Sequence, residues 1–363
     1  MAEFFTLGGT WAPTLPRIAE RSETDGWDGL FVVDSQSLAG DCFVALALAA
    51  GATQRLKIGT GVSNPLTRHP ASGAAGIATV HAVSKGRAIF GVGRGDSAVS
   101  HLGLAPSTVR HFEHWISVCR RLLAGDEVPF DELEAFVPSG AARPADALGL
   151  AKKAAASRLH FLDPALPQVP IEIAATGPAV LGVAGRHADR VLSAVGADPV
   201  RVAWALETAR HAGSEAMANG MRTEQVKMGA FVNVVCHNDV TTARTLISGG
   251  LATFARFSVM DGAIHSPVND AQREVLTKVH DAYDMTNHTR SGSNQAAAMT
   301  NDFIDSFGIA GTPEHCVARL RELEALGVER FVIIGPSAGS DREAATTAQN
   351  LFVREVLPAF ASL

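Results

Sequence analysis

No block of lysine or arginine occurs anywhere in the 363 residues, and the formal net charge is −6 with a pI near 6.1. That removes the electrostatic basis for phosphate-backbone binding, so nucleic acid is not an expected partner. Long apolar runs are also missing. The stretch Phe43 to Ala52 is Ala-rich and shorter than the roughly 20 residues needed to span a bilayer, so no membrane partner is expected. The first five residues, MAEFF, lack the basic start and long apolar stretch of a signal peptide, which makes a cytoplasmic location the expectation. Cysteine is scarce: Cys42, Cys119, Cys236 and Cys316 are far apart and none sits in a C-x-x-C pair, which excludes a disulfide framework and a zinc knuckle. His111 and His114 share a face of VRHFEHWISVCRRLL, but Phe112, Ile116, Cys119 and Leu123 supply that segment's buried stripe. The pair reads as partly packed side chains, and no metal is expected. Finally, no G-x-G-x-x-G follows the first strand, where TLGGTWAP stands instead.

What is present is alternation. Hydrophobic residues make up 47% of the chain, enough to bury a large core. Short β-branched runs are expected as strands at 4–7, 29–33, 57–62, 88–92, 171–175, 190–195, 227–235 and 331–334. Helical patterns separate them at 15–25, 43–50, 71–83, 108–123, 180–187, 200–212, 239–255 and 314–325. Roughly eight βα units predict an α/β fold, a (β/α)8 TIM barrel, rather than the doubly wound sheet that shares the alternation. We read residues 1–363 as one barrel domain with insertions at about 124–169 and 251–309. Thr312-Pro313-Glu314 supplies an N-cap, a proline and an acid for the last of these helices.

In such a barrel the C-terminal strand ends carry the site. The second strand ends in Asp34-Ser35-Gln36, the third in GTGVSNPLTRHP, the fourth in Gly93-Arg94-Gly95-Asp96, and the fifth in Thr176-Gly177-Pro178. Each motif alone has a plain structural explanation: Asp34 as a helix cap, the glycines as tight turns, Arg94 and Asp96 as a surface pair. Together they offer bare backbone or a hydrogen-bonding group at four strand ends, as a flat ring with an anionic tail requires. Gly93 and Gly95 permit close backbone approach, and Thr176-Gly177-Pro178 opens a helix whose N-terminus favours a phosphate. Trp11 follows the first strand, where it would line the pocket.

The segments GTGVSNPLTRHP, VSKGRAIFGVGRGD and IAATGPAVLGVAGRHAD carry a resemblance to the bacterial luciferase-like flavin monooxygenase superfamily, within it to the coenzyme F420-dependent reductases and dehydrogenases. The resemblance runs over nearly the whole chain apart from the insertions. It implies a luciferase-like TIM barrel, an oxidoreductase that moves a hydride between the deazaflavin and a small organic substrate, and a homodimer. It implies that Asp34 meets the deazaflavin or its linker, that Gly61-Val62 is a non-prolyl cis peptide against the ring, and that Ser63 and Asn64 face the ring's pyrimidine edge. By the same resemblance Gly93, Arg94 and Gly95 line ring and tail, Thr176, Gly177, Pro178 and Ala179 hold the phosphate, and Asp96 is the catalytic proton donor or relay. The glucose-6-phosphate enzymes of the family carry a histidine directly after the acid of the second strand, whereas this chain has Ser35, which argues against that activity. Two other readings stand beside F420 chemistry: an FMN-dependent monooxygenase served by a separate reductase, and a non-catalytic flavin- or deazaflavin-binding protein.

Overall fold

A computed structural model describes residues 2–361. Its strands are β1 (Glu3–Gly8), β2 (Gly29–Val32), β3 (Lys57–Thr60), β4 (Ala88–Val92), β5 (Ile171–Ala175), β6 (Arg190–Ser193), β7 (Lys227–Cys236), β8 (Ile309–Gly311) and β9 (Arg330–Ile334). They follow the order β6-β5-β4-β3-β2-β1-β9-β7-β8, and a further β6–β7 pairing closes the ladder. Eight strands therefore make the parallel barrel. The ninth, β8, pairs with β7 through Val234, Val235 and Cys236, beyond the stretch of β7 that pairs with β9. The expected strands recur, with shorter ends at β2, β3 and β6. Sequence periodicity overlooked β8, because three residues are too few to display a period of two.

The helix boundaries follow local chemistry. Asp41 caps the helix Cys42–Ala52 by accepting from the Phe43 and Val44 amides, and Thr312 caps Pro313–Ala325 with proline in its first turn. Gly125 ends Val109–Ala124 at φ 79°, in the left-handed conformation glycine tolerates. Among the described residues no helix is long and apolar enough to cross a membrane.

By internal contacts the chain forms two compact units. One contains β1, Glu20–Phe31 and the chain from Glu172 onward; the other contains Gly9–Ala19 and Val32–Ile171. In the second unit, residues 126–170 hold only the helix Phe130–Glu134, a 3-10 turn at Ala145–Leu148 and a bridge between Val128 and Ser157. Phe136, from this segment, packs its ring against those of His69, His111 and His114, with centroids 4.9–6.1 Å apart. In the first unit, the stretch between β7 and β8 is mostly helical, including Val240–Phe257, Asp270–Asp281 and Asn301–Phe307. These helices enclose their own core around Leu246, Leu251, Leu276, Phe303 and Phe307.

The starts of β1, β5, β6 and β9 meet in a buried ionic cluster of the first unit. Arg330 donates through Nε to Glu3 at 2.9 Å, pairs with Glu172, and lies 4.2 Å from the centroid of the Phe5 ring. Arg190 reaches Glu329 at 3.2 Å and the Met228 carbonyl at 2.9 Å. Burial pushes the Glu172 carboxyl up despite its two arginines, and burial likewise lowers Arg190. Such a cluster fixes strand register, and its members depend on one another. Glu172→Ala leaves two buried guanidinium groups with less negative charge and is expected to cost about 3–5 kcal/mol, read as a lower urea midpoint. An unchanged midpoint would mean that water or Glu3 compensates fully.

Candidate functional site

The loops after β2, β3 and β4, all in the second unit, converge on one side chain. Asp34 is 2% exposed, and both its carboxylate oxygens are occupied. Oδ2 accepts from Ser63 Oγ at 2.7 Å and Arg68 Nε at 2.8 Å; Oδ1 accepts from Gln36 Nε2 at 2.7 Å and Arg68 Nη2 at 2.9 Å. This is the fork-to-fork geometry that makes arginine–carboxylate pairs strong and directional. Arg68 Nη2 continues to Asp41 Oδ2 at 2.9 Å, and the guanidinium lies 4.5 Å from the centroid of the Phe43 ring. Trp115 Nε1 donates to the Arg68 carbonyl at 2.9 Å. Asp34 is thus no helix cap, since Asp41 takes that task; it anchors Arg68 and Ser63.

Electrostatics follow the same contacts. Burial alone would lower Arg68, but the hydrogen bonds and charge of Asp34 outweigh it and raise the guanidinium further above its ordinary range. Burial alone would raise Asp41, yet the Val44 amide and Arg68 hold its carboxyl below the usual value. Burial first, and the Asp34 charge second, push the Cys42 thiol well up, so it stays protonated and unreactive. Sequence reasoning missed Arg68 and Asp41 as site residues. The available signal was Arg68, the one charged residue among the uncharged Gly61–Thr67 that precede it, on the loop next in the barrel to one with an acid at a strand end.

Beyond β3, the Gly61–Val62 peptide is cis, as the resemblance implies. Ser63 continues the ladder: its N–H donates to the Gly91 carbonyl at 2.9 Å, and Gly93 N–H donates to the Ser63 carbonyl at 2.8 Å. Asn64 is 1% exposed, and its Oδ1 accepts from the Leu66 and Thr67 amides, both at 3.1 Å. Its Nδ2 has no protein partner, and the buried hydroxyls of Thr10 and Thr67 have none either. A buried polar atom left without a partner costs about 1–3 kcal/mol. Asn64 and Thr67 lie on the loop after β3 and Thr10 on the loop after β1, with β2 between those strands.

The turn after β4 requires its glycines. A Cβ on Gly91 would lie 1.9 Å from the Thr60 carbonyl oxygen, so β3 and β4 could not approach as they do. Gly95 has φ +83°, and a Cβ there would stand 2.9 Å from Val99 and 3.3 Å from Asn64. Arg94 directs Nε to the Ser107 carbonyl, while Ser107 N–H donates to the Arg94 carbonyl at 3.0 Å, closing the loop on itself. Asp96 is half-buried and stands before the short helix Ser97–Ser100 without making a side-chain cap bond.

In the first unit, Thr176, Gly177, Pro178 and Ala179 join β5 to the helix Pro178–His187. Gly177 is the N-cap residue and contributes no side-chain cap. A Cβ on Gly177 would meet nothing within 4 Å, so open space lies beside amides that would otherwise be capped.

Arg68→Met is expected to destabilise the protein by about 3 kcal/mol, because it leaves the buried Asp34 without its cation, and Arg68→Lys by less, because charge survives without the fork. Chemical denaturation of both variants checks this ranking. Parent-like stability in the methionine variant would remove the bridge from the architecture of these loops.

The chain is similar to known proteins over nearly its whole length. The chain is 27% identical to a 5,10-methylenetetrahydromethanopterin reductase of Methanolobus tindarius, over 94% of its own length and 97% of the relative's. Its fold superposes on coenzyme F420-dependent tetrahydromethanopterin reductase from Methanopyrus kandleri with TM-score 0.71 and 21% identity, covering 99% of each chain. An F420-dependent secondary alcohol dehydrogenase in complex with an F420-acetone adduct gives TM-score 0.70 at 18% identity, again over 99% of each. With residues 8–330 matching as well, the chain belongs to the luciferase-like monooxygenase family.

Proposed function

We propose that this protein is a coenzyme F420-dependent oxidoreductase that transfers a hydride to or from a small organic substrate. The observation that carries the reading is the set of unpartnered buried polar atoms, led by Asn64 Nδ2, beside the cis Gly61–Val62 peptide. The reading is further supported by the relatives, which include F420-dependent reductases and dehydrogenases. When bound, F420 supplies a deazaflavin ring whose C5 gives or takes the hydride.

The chain's own residues have separable tasks in this proposal. Gly61, Val62, Ser63 and Asn64 form a rigid floor for the ring, with Asn64 Nδ2 donating to it. Asp34 acts through Ser63 and Arg68, whose positions it fixes, because its acceptor sites are already occupied. Gly93, Arg94 and Gly95 present backbone along the ring and its tail. Thr176, Gly177, Pro178 and Ala179 hold the phosphate with the uncapped amides of the helix start. Asp96 holds the proton exchanged with the substrate oxygen, a role open to a half-buried carboxyl at the end of β4.

Titration of the purified protein with oxidised F420 and separately with FMN, followed by cofactor fluorescence, is expected to give tight F420 and weak FMN binding. Asp96→Asn is expected to keep F420 affinity while losing turnover. Preference for FMN would move the protein to the oxygen-using branch of the family. Gly177→Asp offers a test of the phosphate site that needs no turnover. The added carboxylate caps the helix, leaving stability equal or higher, while its charge repels the phosphate and weakens F420 at least about tenfold. Unaltered affinity would place the phosphate elsewhere.

A further inference from the structure

The four cysteines lie far apart in the sequence, but the fold brings two of them together in the first unit. Cys236 ends β7, and Cys316 is the fourth residue of the helix Pro313–Ala325, which follows β8. β7 and β8 are in register at this point, with Val235 opposite Ala310 and Cys236 opposite Gly311. Both cysteines are buried. Glu314 and His315, which precede Cys316, are exposed, so the pair lies just beneath the surface and within reach of a small oxidant.

Backbone contacts bracket the pair. Cys316 Sγ lies 3.9 Å from the Val235 carbonyl oxygen and 3.7 Å from that of Gly311. The Gly311 carbonyl also accepts from the His237 amide at 2.8 Å. The Cys316 sulfur is thus held by the residue before Cys236 and by the oxygen that binds the residue after it. A side-chain hydrogen bond joins the two thiols directly.

That contact sets the pair apart from the remaining cysteines. The hydrogen bond from Cys316 lowers the Cys236 thiol, outweighing burial and the charges of Glu314 and Glu355. The same bond, with burial second, pushes Cys316 up. Burial pushes Cys42 and Cys119 up as well. Of the four, Cys236 alone is moved toward the thiolate, the form that reacts with oxidants, and a second sulfur stands beside it.

We propose that Cys236 and Cys316 form a reversible disulfide when the protein meets hydrogen peroxide, with Cys236 oxidised first and Cys316 closing the bond. The Cys236 thiolate attacks one peroxide oxygen, the O–O bond breaks, and the departing hydroxide takes up a proton, leaving a sulfenic acid and one water. The Cys316 sulfur then attacks the sulfenic sulfur; the S–O bond breaks, and the oxygen leaves with the Cys316 proton as a second water. Two thiols are oxidised while one peroxide is reduced, and no F420 is needed. Such pairs rest as thiols where cellular reductants prevail, so the bond registers an oxidant rather than serving as a permanent framework. Once formed, it closes a loop holding the whole helical stretch between β7 and β8, which restricts the unfolded chain and stabilises the folded one.

The test treats the reduced protein, freed of reductant, with stoichiometric hydrogen peroxide, then counts thiols in denaturant and maps unreduced tryptic peptides by mass. The expected result is a fall from four free thiols to two, a link within one chain between the peptides holding Cys236 and Cys316, and a higher urea midpoint. Dithiothreitol is expected to reverse all three. In Cys316→Ser, dimedone is expected to trap a sulfenic acid at Cys236, whereas Cys236→Ser is expected to keep its remaining thiols. Four surviving thiols in the parent, a link between any other pair or between chains, or a loss that dithiothreitol does not reverse would overturn the proposal. An unchanged midpoint would overturn the stabilising role, and a dimedone adduct at Cys316 instead of Cys236 would overturn the assigned order. The thiol count and linked peptides come from the parent protein alone, so a variant that fails to fold leaves the test intact.

Discussion

The guanidinium of Arg68 organises the loops at the strand ends of the second unit. A buried carboxylate is tolerable only when its charge is met and its acceptor sites are filled, and Arg68 does both for Asp34 in one planar contact. Because the same group reaches Asp41, and its backbone receives Trp115, the helices Cys42–Ala52 and Val109–Ala124 are fastened to the loop that carries Ser63 and Asn64. The floor of the site thus inherits its rigidity from two outer helices. The carboxylate's role is positional, and this leaves Asn64 Nδ2 and the neighbouring hydroxyls as the groups with bonding capacity to spare.

The remaining geometry consists of places where side chains are withheld. Gly91 lets β4 lie against the Thr60 carbonyl, and Gly95 turns the chain through a positive φ beside Asn64. In the first unit, Gly177 leaves a helix start without a side-chain cap. Where these positions lack a Cβ, backbone donors remain available. A protein that binds a flat ring and an anionic tail needs such absences as much as it needs its functional groups.

Much of this was legible in the sequence because barrel strands are buried on both faces and read as continuous apolar runs, while helix starts such as Thr312-Pro313 are written in local chemistry. The site's backbone was legible for a similar reason: glycine pairs after a strand announce close approach. What escaped is non-local. No period or spacing links Arg68 to Asp34, 34 residues away, since only the barrel brings their loops together. Nor does sequence separate Asp34 from Asp41 as the helix cap, because both stand between β2 and the helix, and the choice is made by the distance at which the chain turns. The strand β8 was invisible because its three residues are too few to display a period of two.

The overhang of β7 has an architectural consequence. By extending β7 past its pairing with β9, the chain builds a small second storey on which β8 and the helices between them assemble around a core of their own. That core takes in Val235 of β7 and Ala310 of β8 as well as the helices, so it is anchored in the strands that carry it. A change in the packing of these helices is therefore passed directly to β7, the strand that also pairs with β9.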